Sequence, residues 1–260
     1  MLGLFRRRHS QRSRRERHAV PDGVRVYAIG DIHGCVVQLE CLLALIDDDC
    51  RGSQSFKHLI FLGDLVDRGP DSAAVVERLA NGALPGDRHS FLMGNHEEAM
   101  LSVWEGHGDV IAGWLRFGGM QTLESYGVSR AEVYNLGMDL PARMREVIPA
   151  RHMDFIAAFE DHVTVGNYLF VHAGIKPGVP LQDQDQADLR WIREEFLSDD
   201  ETNHGFRVVH GHTISDAPEL RSNRIGIDTG CYKSGVLTAL VLESDQQRFL
   251  ATETSGDPVG

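Results

Sequence analysis

No apolar run in these 260 residues approaches the ~18 that a membrane-spanning helix needs. The longest, such as Val236 to Leu242, are strand-length. Cysteine is scarce: Cys35, Cys41, Cys50 and Cys231 form no CxxC pair and no zinc-finger spacing, which excludes a disulfide scaffold and a zinc ribbon. They read instead as reduced, buried thiols of a cytoplasmic protein. Low-complexity tracts, internal repeats and a dividing linker are all missing, and the 42% apolar content is ordinary for one globular unit. No apolar segment follows the N-terminal arginines, so they do not read as a secretion signal. The expected organisation is a flexible basic arm over residues 1–23, a single domain over 24–252 and a loose tail over 253–260.

Charge is uneven. Residues 1–20 hold seven Arg and one Glu, while the rest holds 19 basic and 37 acidic side chains, within a net charge of −12. The arm reads as a solvated end, with no nucleic acid or membrane partner expected. An acidic body should repel phosphate, yet screening confines distant charge to roughly 8–10 Å in physiological salt. Two divalent cations beside two carboxylates would keep a local pocket positive.

What is present is a rhythm of strand, loop and helix. Val24–Ile29, His58–Leu62 and Ser90–Met93 read as strands, each running into a glycine-flanked motif. Val36–Ile46 has helical spacing, Ser72–Ala80 follows a Pro70-Asp71 helix start, and Asn95 reads as a helix N-cap with Glu97 and Glu98 in the first turn. Residues 100–160 read as helices broken at Gly118-Gly119, without chemistry of their own. Later come a hairpin, His162–Val165 and Tyr168–Val171 around Gly166-Asn167, a surface loop over 178–188, and strands at Arg207–His210, Arg224–Ile227, Gly235–Glu243 and Gln247–Ala251. The expected fold is α/β, with two packed sheets flanked by helices and a crevice at the C-terminal strand ends.

The motifs carry hard oxygen and imidazole donors. In Gly30-Asp31-Ile32-His33-Gly34, extended backbone would set Asp31 and His33 on one side, where they can grip one metal. In Gly63-Asp64-Leu65-Val66-Asp67-Arg68-Gly69, Asp64 is placed to be shared between two metals and Arg68 offers a planar fork for phosphate oxygens. In Gly94-Asn95-His96-Glu97, Asn95 is a neutral oxygen donor. His96 beside it would stand at the rim, where a general acid belongs, with Asp67 available to orient it. His172 ends a strand, and His212 competes with His210 for a ligand role, because alternation sets those two on the same side. Donors for two divalent cations sharing a carboxylate point to displacement at phosphorus.

In these motifs and their order the chain resembles the PPP-family (calcineurin-like) metallophosphoesterases, in their bacterial and phage-type branch, over roughly residues 24–243. The resemblance implies a four-layer α/β/β/α sandwich. It implies one metal held by Asp31, His33 and Asp64, and a second by Asp64, Asn95, His172 and His212, with manganese the expected ion and iron or zinc compatible. His96 would be the general acid partnered by Asp67, an in-line attack would come from a metal-bridging hydroxide, and Arg68, Asn95 and Arg193 would bind the phosphoryl group. Arg193 is preferred over Arg190 in Trp191-Ile192-Arg193.

Two departures stand out. Met93 occupies a position where many relatives carry arginine, and His210 occupies another. A cousin family, the symmetrical diadenosine tetraphosphate hydrolases, is similar at Asp228-Thr229-Gly230 and Leu237-Thr238. That family commonly differs at His33, Asp67 and Glu97. On that pattern the expected activity is phosphomonoester hydrolysis by a monomeric serine/threonine protein phosphatase acting on a phosphorylated protein or peptide. The alternatives are dinucleoside polyphosphate hydrolysis, a small-molecule phosphatase and an inactive phosphopeptide-binding module.

Overall fold

The computed structural model describes residues 18–253. Most of the expected basic arm and tail lies outside them. The last arm residues are seated on the body: the Val20 N–H donates to Ser244 O, Ala19 O accepts from Asn167, and Val20 is buried.

The chain begins with three βα units: β1 Val24–Ile29, α1 Val36–Cys50, β2 Phe56–Phe61, α2 Ser72–Asn81, β3 Arg88–Phe91 and α3 Asn95–Glu105. A run of short helices follows: α4 Ile111–Trp114, α5 Met120–Ser125, α6 Arg130–Leu136, α7 Leu140–Val147 and α8 Ala150–Ala157. Between α4 and α5 a π turn spans Leu115–Gly119. The second half holds β4 His162–Val165, β5 Tyr168–Val171, α9 Gln186–Trp191, α10 Glu194–Leu197, β6 Arg207–His210, β7 Glu219–Leu220, β8 Arg224–Gly226, α11 Cys231–Ser234, β9 Thr238–Glu243 and β10 Gln246–Ala251. Among the described residues no helix is long and apolar enough to cross a membrane.

Two five-stranded mixed sheets result, ordered β10-β9-β1-β2-β3 and β4-β5-β6-β8-β7. β1, β2 and β3 pair in parallel, as do β5, β6 and β8. Alternation along each strand explains the layering. Val26 and Ala28 of β1 face the second sheet with Phe170, Val209 and Ile225, whereas Tyr27 and Ile29 face the helices with Leu39, Leu42 and Leu43 of α1. Leu169, Val171 and Val208 pack under Leu189 and Phe196 of α9 and α10. Each such buried side chain contributes about 1.5–3 kcal/mol relative to exposure.

Several expected local details differ. Asn95 is not the cap of α3; Gly94 is, which leaves the Asn95 side chain for the crevice. The last strand pair starts late, at Thr238, because Cys231–Ser234 coils into a helical turn closed by Gly235 at φ +72°. The end of the 178–188 loop is helical from Gln186. Of the four free cysteines only Cys35 and Cys231 are buried; Cys41 is exposed, since it points away from the apolar stripe of α1.

Candidate active site

The loops after β1, β2 and β3 and the ends of β5 and β6 meet at one edge of the sandwich. Loop-to-loop hydrogen bonds hold them: the Ile32 and His33 N–H groups donate to Asp64 O, and Gly34 donates to Leu65 O. Gly69 presses so close to this first loop that an added Cβ would overlap His33 O. Glu97, expected to serve the helix end, does more. Its buried carboxylate accepts from the backbone N–H groups of Asp64 and Leu65 (2.8 Å each), Gly94 (3.1 Å) and Val66 (3.2 Å), and so shapes the whole second loop. Five of the six described non-glycine residues with positive φ fall here: His33, Asp64, Asp67, Arg68 and His212. Backbone strain of about 1–3 kcal/mol per residue is retained where surrounding structure enforces it, and such strain clusters at functional sites.

Because His33 is left-handed at φ +47°, it does not share an extended segment with Asp31; loop contacts, not alternation, aim both inward. Ring Nδ1 of His33 donates to Val66 O at 2.8 Å, which leaves Nε2 as a lone pair facing Asp64 Oδ2 at 3.5 Å. Ring Nδ1 of His172 likewise donates to Leu62 O, so its Nε2 faces Asn95 Oδ1 at 3.1 Å and Asp64 Oδ1 at 3.4 Å. Three lone pairs converge there with no proton between them, an arrangement suited to a cation. Among the described residues the buried Nε2 atoms of His33 and His212 have no hydrogen-bond partner. Ligand atoms of His33, Asp64 and His96 lie within 4.8 Å of one another, as do those of Asp64, His172 and His212. Asp64 is common to both sets.

Asp31 belongs to neither set; its carboxylate accepts the His212 N–H at 3.0 and 3.2 Å. Beside it stands Asp228, which sequence reasoning noted only within a motif. Asp228 is buried, accepts from the Gly230 N–H, and leaves Oδ2 without a partner. Burial, with the charges of Asp228 and Asp64, pushes Asp31 well up, and burial pushes Asp228 up to about 6, the Asp64 charge adding to it. Burial holds His33 down at about 3 and His212 at about 2, so both rings are neutral donors of a lone pair. Neutral imidazoles, crowded carboxylates and orphaned lone pairs are what divalent cations satisfy, and the residues fit two of them.

His210 is not equivalent to His212. Gly211 breaks the strand and His212 turns left-handed at φ +62°, so the alternation argument fails. His210 packs edge-on against Phe196, with its ring centroid 5.2 Å away, while His212 packs against His172.

At the rim, His96 Nδ1 donates to Asp67 Oδ2 at 2.7 Å. Burial opposes charge on His96, but Asp64 and Asp67 outweigh it and hold the ring above its ordinary pKa. Arg68 donates to His96 Nε2 at 2.9 Å and lies over the Tyr232 ring. Arg190 is engaged with Glu98 and Asp161, whereas Arg193 lines the cleft with, among the described residues, only Thr213 as a side-chain hydrogen-bond partner. The helical run, expected to lack chemistry, reaches the site. Trp114 Nε1 donates to Asp67 Oδ2 at 3.0 Å and Thr122 Oγ1 to Asp67 Oδ1 at 2.6 Å. Gly118, at φ +126°, accepts the Arg68 N–H and packs where a Cβ would overlap that backbone. No spacing rule ties residues 114 and 122 to 67; only Asp228-Thr229-Gly230, an acid beside glycine after a strand, carried a readable signal.

A buried dimetal-type donor set at the strand ends of a two-sheet sandwich defines a metallophosphoesterase. The chain belongs to the calcineurin-like phosphoesterase family, which it matches over residues 24–236. It is 27% identical to a symmetrical bis(5'-nucleosyl)-tetraphosphatase of Legionella pneumophila, across 86% of this chain and 95% of that protein. It is 24% identical to an asymmetrical bis(5'-nucleosyl)-tetraphosphatase of Oceanobacillus iheyensis, across 83% and 88%. A crystal structure named as a candidate diadenosine tetraphosphatase shares the fold, with a TM-score of 0.61 and 23% identity over 89% of this chain and 95% of that one.

Proposed function

We propose that this protein hydrolyses the polyphosphate bridge of a dinucleoside tetraphosphate. The supporting observation is the cleft beside the donor set. It has a volume of about 610 Å³ and runs from Arg68, His96 and Arg193 to the exposed rings of Phe117 and Trp191, the buried Trp114 contributing only an edge. Indole and phenyl faces suit a nucleobase, the arginines suit a phosphate chain, and the volume suits one nucleotide. The names of the relatives point the same way. The protein-phosphatase expectation, drawn from His33, Asp67 and Glu97, becomes the second reading.

His33, Asp64, Asn95, His172 and His212, with Asp31 behind them, are the residues that would hold two divalent cations, manganese being our first choice. Bound there, the cations would activate water and neutralise charge on phosphorus. Arg68 and Arg193 bind equatorial phosphate oxygens as charge builds on them. Once Arg68 turns to phosphate, His96 Nε2 is released from it and free to carry a proton, while Asp67 holds the opposite nitrogen. Overall a water oxygen joins phosphorus, the P–O bond to the departing nucleotide breaks, and a proton goes to the departing oxygen. A phosphate leaving group needs that proton less than an alkoxide does. The fully formed Asp67–His96 pair is therefore the observation that favours the second reading.

The test is a comparison of kcat/KM on diadenosine tetraphosphate and on a phosphoserine peptide, with manganese added and with EDTA as control. Preference for the dinucleotide is expected, and the products, two ADP or ATP plus AMP, define the bond cleaved. A preference for the peptide would overturn the proposal in favour of the second reading.

A further inference from the structure

A second cleft, of about 750 Å³, opens on the other side of Phe117. It shares Arg68 and Phe117 with the first cleft, so both open beside the residue proposed to hold phosphate. Their linings differ in charge. The first includes Glu98 and Asp109 beside Arg68 and Arg193. The second has three arginines, Arg68, Arg116 and Arg130, and no carboxylate among its lining residues. On a chain of net charge −12 that is a local inversion of sign.

Arg130 is engaged bidentately by Glu124. Arg116 is exposed, and among the described residues no hydrogen bond or ion pair engages it. One aromatic face is available as well, that of Tyr134, which is 75% exposed; the Tyr232 ring is covered by Arg68 and Lys233. Phe117 is 62% exposed and stands between the clefts. Its place is set by the π turn and by Gly118, which is fastened to the backbone of Arg68. An exposed apolar side chain held on a π turn over a candidate active site has no packing reason to be there.

We infer that the second cleft is the binding site for the second nucleotide of the substrate: one nucleoside lies against Trp191, the polyphosphate crosses Arg68, and the other nucleoside 5'-phosphate lies between Arg116 and the Tyr134 face, with Phe117 as the partition. This rests on the dinucleotide reading above. A free arginine recognises phosphate oxygens, a tyrosine ring stacks on a base, and Glu124, the carboxylate on Arg130, is balanced by that pairing, which limits the repulsion an anion would meet. Such a site selects for substrates with a nucleotide at both ends over those with one.

The experiment uses the manganese-loaded full chain as Arg116→Glu and, separately, Tyr134→Ala, both exposed positions. Arg51→Glu serves as a charge control far along the sequence, on a 72% exposed side chain. The readouts are kcat/KM on diadenosine tetraphosphate relative to adenosine 5'-tetraphosphate, and the affinity for a methylene-bridged diadenosine tetraphosphate measured without turnover. Arg116→Glu is expected to lower the ratio and the affinity on the order of 10-fold or more, the usual worth of a charged hydrogen bond. Tyr134→Ala should lower both several-fold, and Arg51→Glu should move neither. Wild-type turnover of the dinucleotide with an unchanged ratio in both cleft variants overturns the second-nucleotide site alone. Absence of wild-type turnover on the dinucleotide, with turnover of p-nitrophenyl phosphate retained, overturns the functional reading and this site together.

Discussion

The floor of the crevice and its helical wall are built on opposite principles. On the floor, donors are fixed by backbone: Glu97 gathers four N–H groups, His33 and His172 are pinned to carbonyls, and left-handed residues are enforced by loop-to-loop bonds. The wall, residues 111–147, consists of helical segments of three to eight residues that leave Phe117, Tyr134 and Met138 exposed. The two are joined by Trp114 and Thr122 on Asp67, by Gly118 on Arg68, and by Met120, Leu123 and Met144, which are buried in one core with Leu65 and Val66 of the second loop. Chemistry needs atoms held to fractions of an ångström by backbone, whereas recognition of a long, flexible polyanion can use exposed side chains carried on a helical layer whose inner face is packed in the core.

If the floor holds the cations, Asp64→Asn should give the largest effect. It removes charge from the one carboxylate common to both donor sets. Metal content by elemental analysis should collapse, and turnover should fall by more than the 10- to 100-fold that a supporting residue costs. Full occupancy in that variant would break the assignment.

Next is His96→Asn, in which the metals should remain. Turnover of a phosphoserine peptide should drop on the order of 10²- to 10⁴-fold, and that of a phosphoanhydride by less, since its leaving group is the weaker base. Equal losses on the two substrates would argue that His96 acts in binding and not in proton transfer.

A smaller effect joins wall to floor. Trp114→Phe keeps an aromatic ring but removes the N–H that Asp67 accepts. We expect kcat to fall about 10-fold with metal content unchanged, the scale of a lost supporting hydrogen bond. Wild-type kcat would make the wall independent of the catalytic pair.

The smallest concerns the scaffold beneath the floor. His58 of β2 hydrogen-bonds Ser90 Oγ at 3.1 Å, and burial, with the charges of Arg88 and His89, pushes it down to about 4. A histidine depressed on folding contributes stability that is full above its unfolded pKa, near 6.5, and is lost as pH falls toward 4. The Tm of the wild type should therefore fall over that window by a few degrees more than that of His58→Gln. Parallel curves would exclude this residue as a source of acid sensitivity.

Read from residue order, the floor was largely legible. Strand, glycine and an oxygen donor recur three times, as Asp31, Asp64 and Asn95, and these with His33, His96, His172 and His212 all arrive at one crevice edge. The legibility came from local rules: period-two burial, and glycine beside a ligand where backbones must approach. Those rules failed at His210 and His212, where one left-handed residue defeated alternation, and at Asn95, where the cap moved back to Gly94.

The amino-acid order by itself determined the layers of the sandwich, the donor chemistry and the strand ends that carry it, because these follow from periodicities of two and 3.6 residues and from side-chain type. Tertiary structure alone decided that Trp114 and Thr122 grip Asp67, that Asp228 stands by Asp31, that Glu97 ties the second loop, and that Phe117 divides two clefts. Each of these joins residues far apart in the chain across short helices and turns, where no sequence period relates one partner to the other.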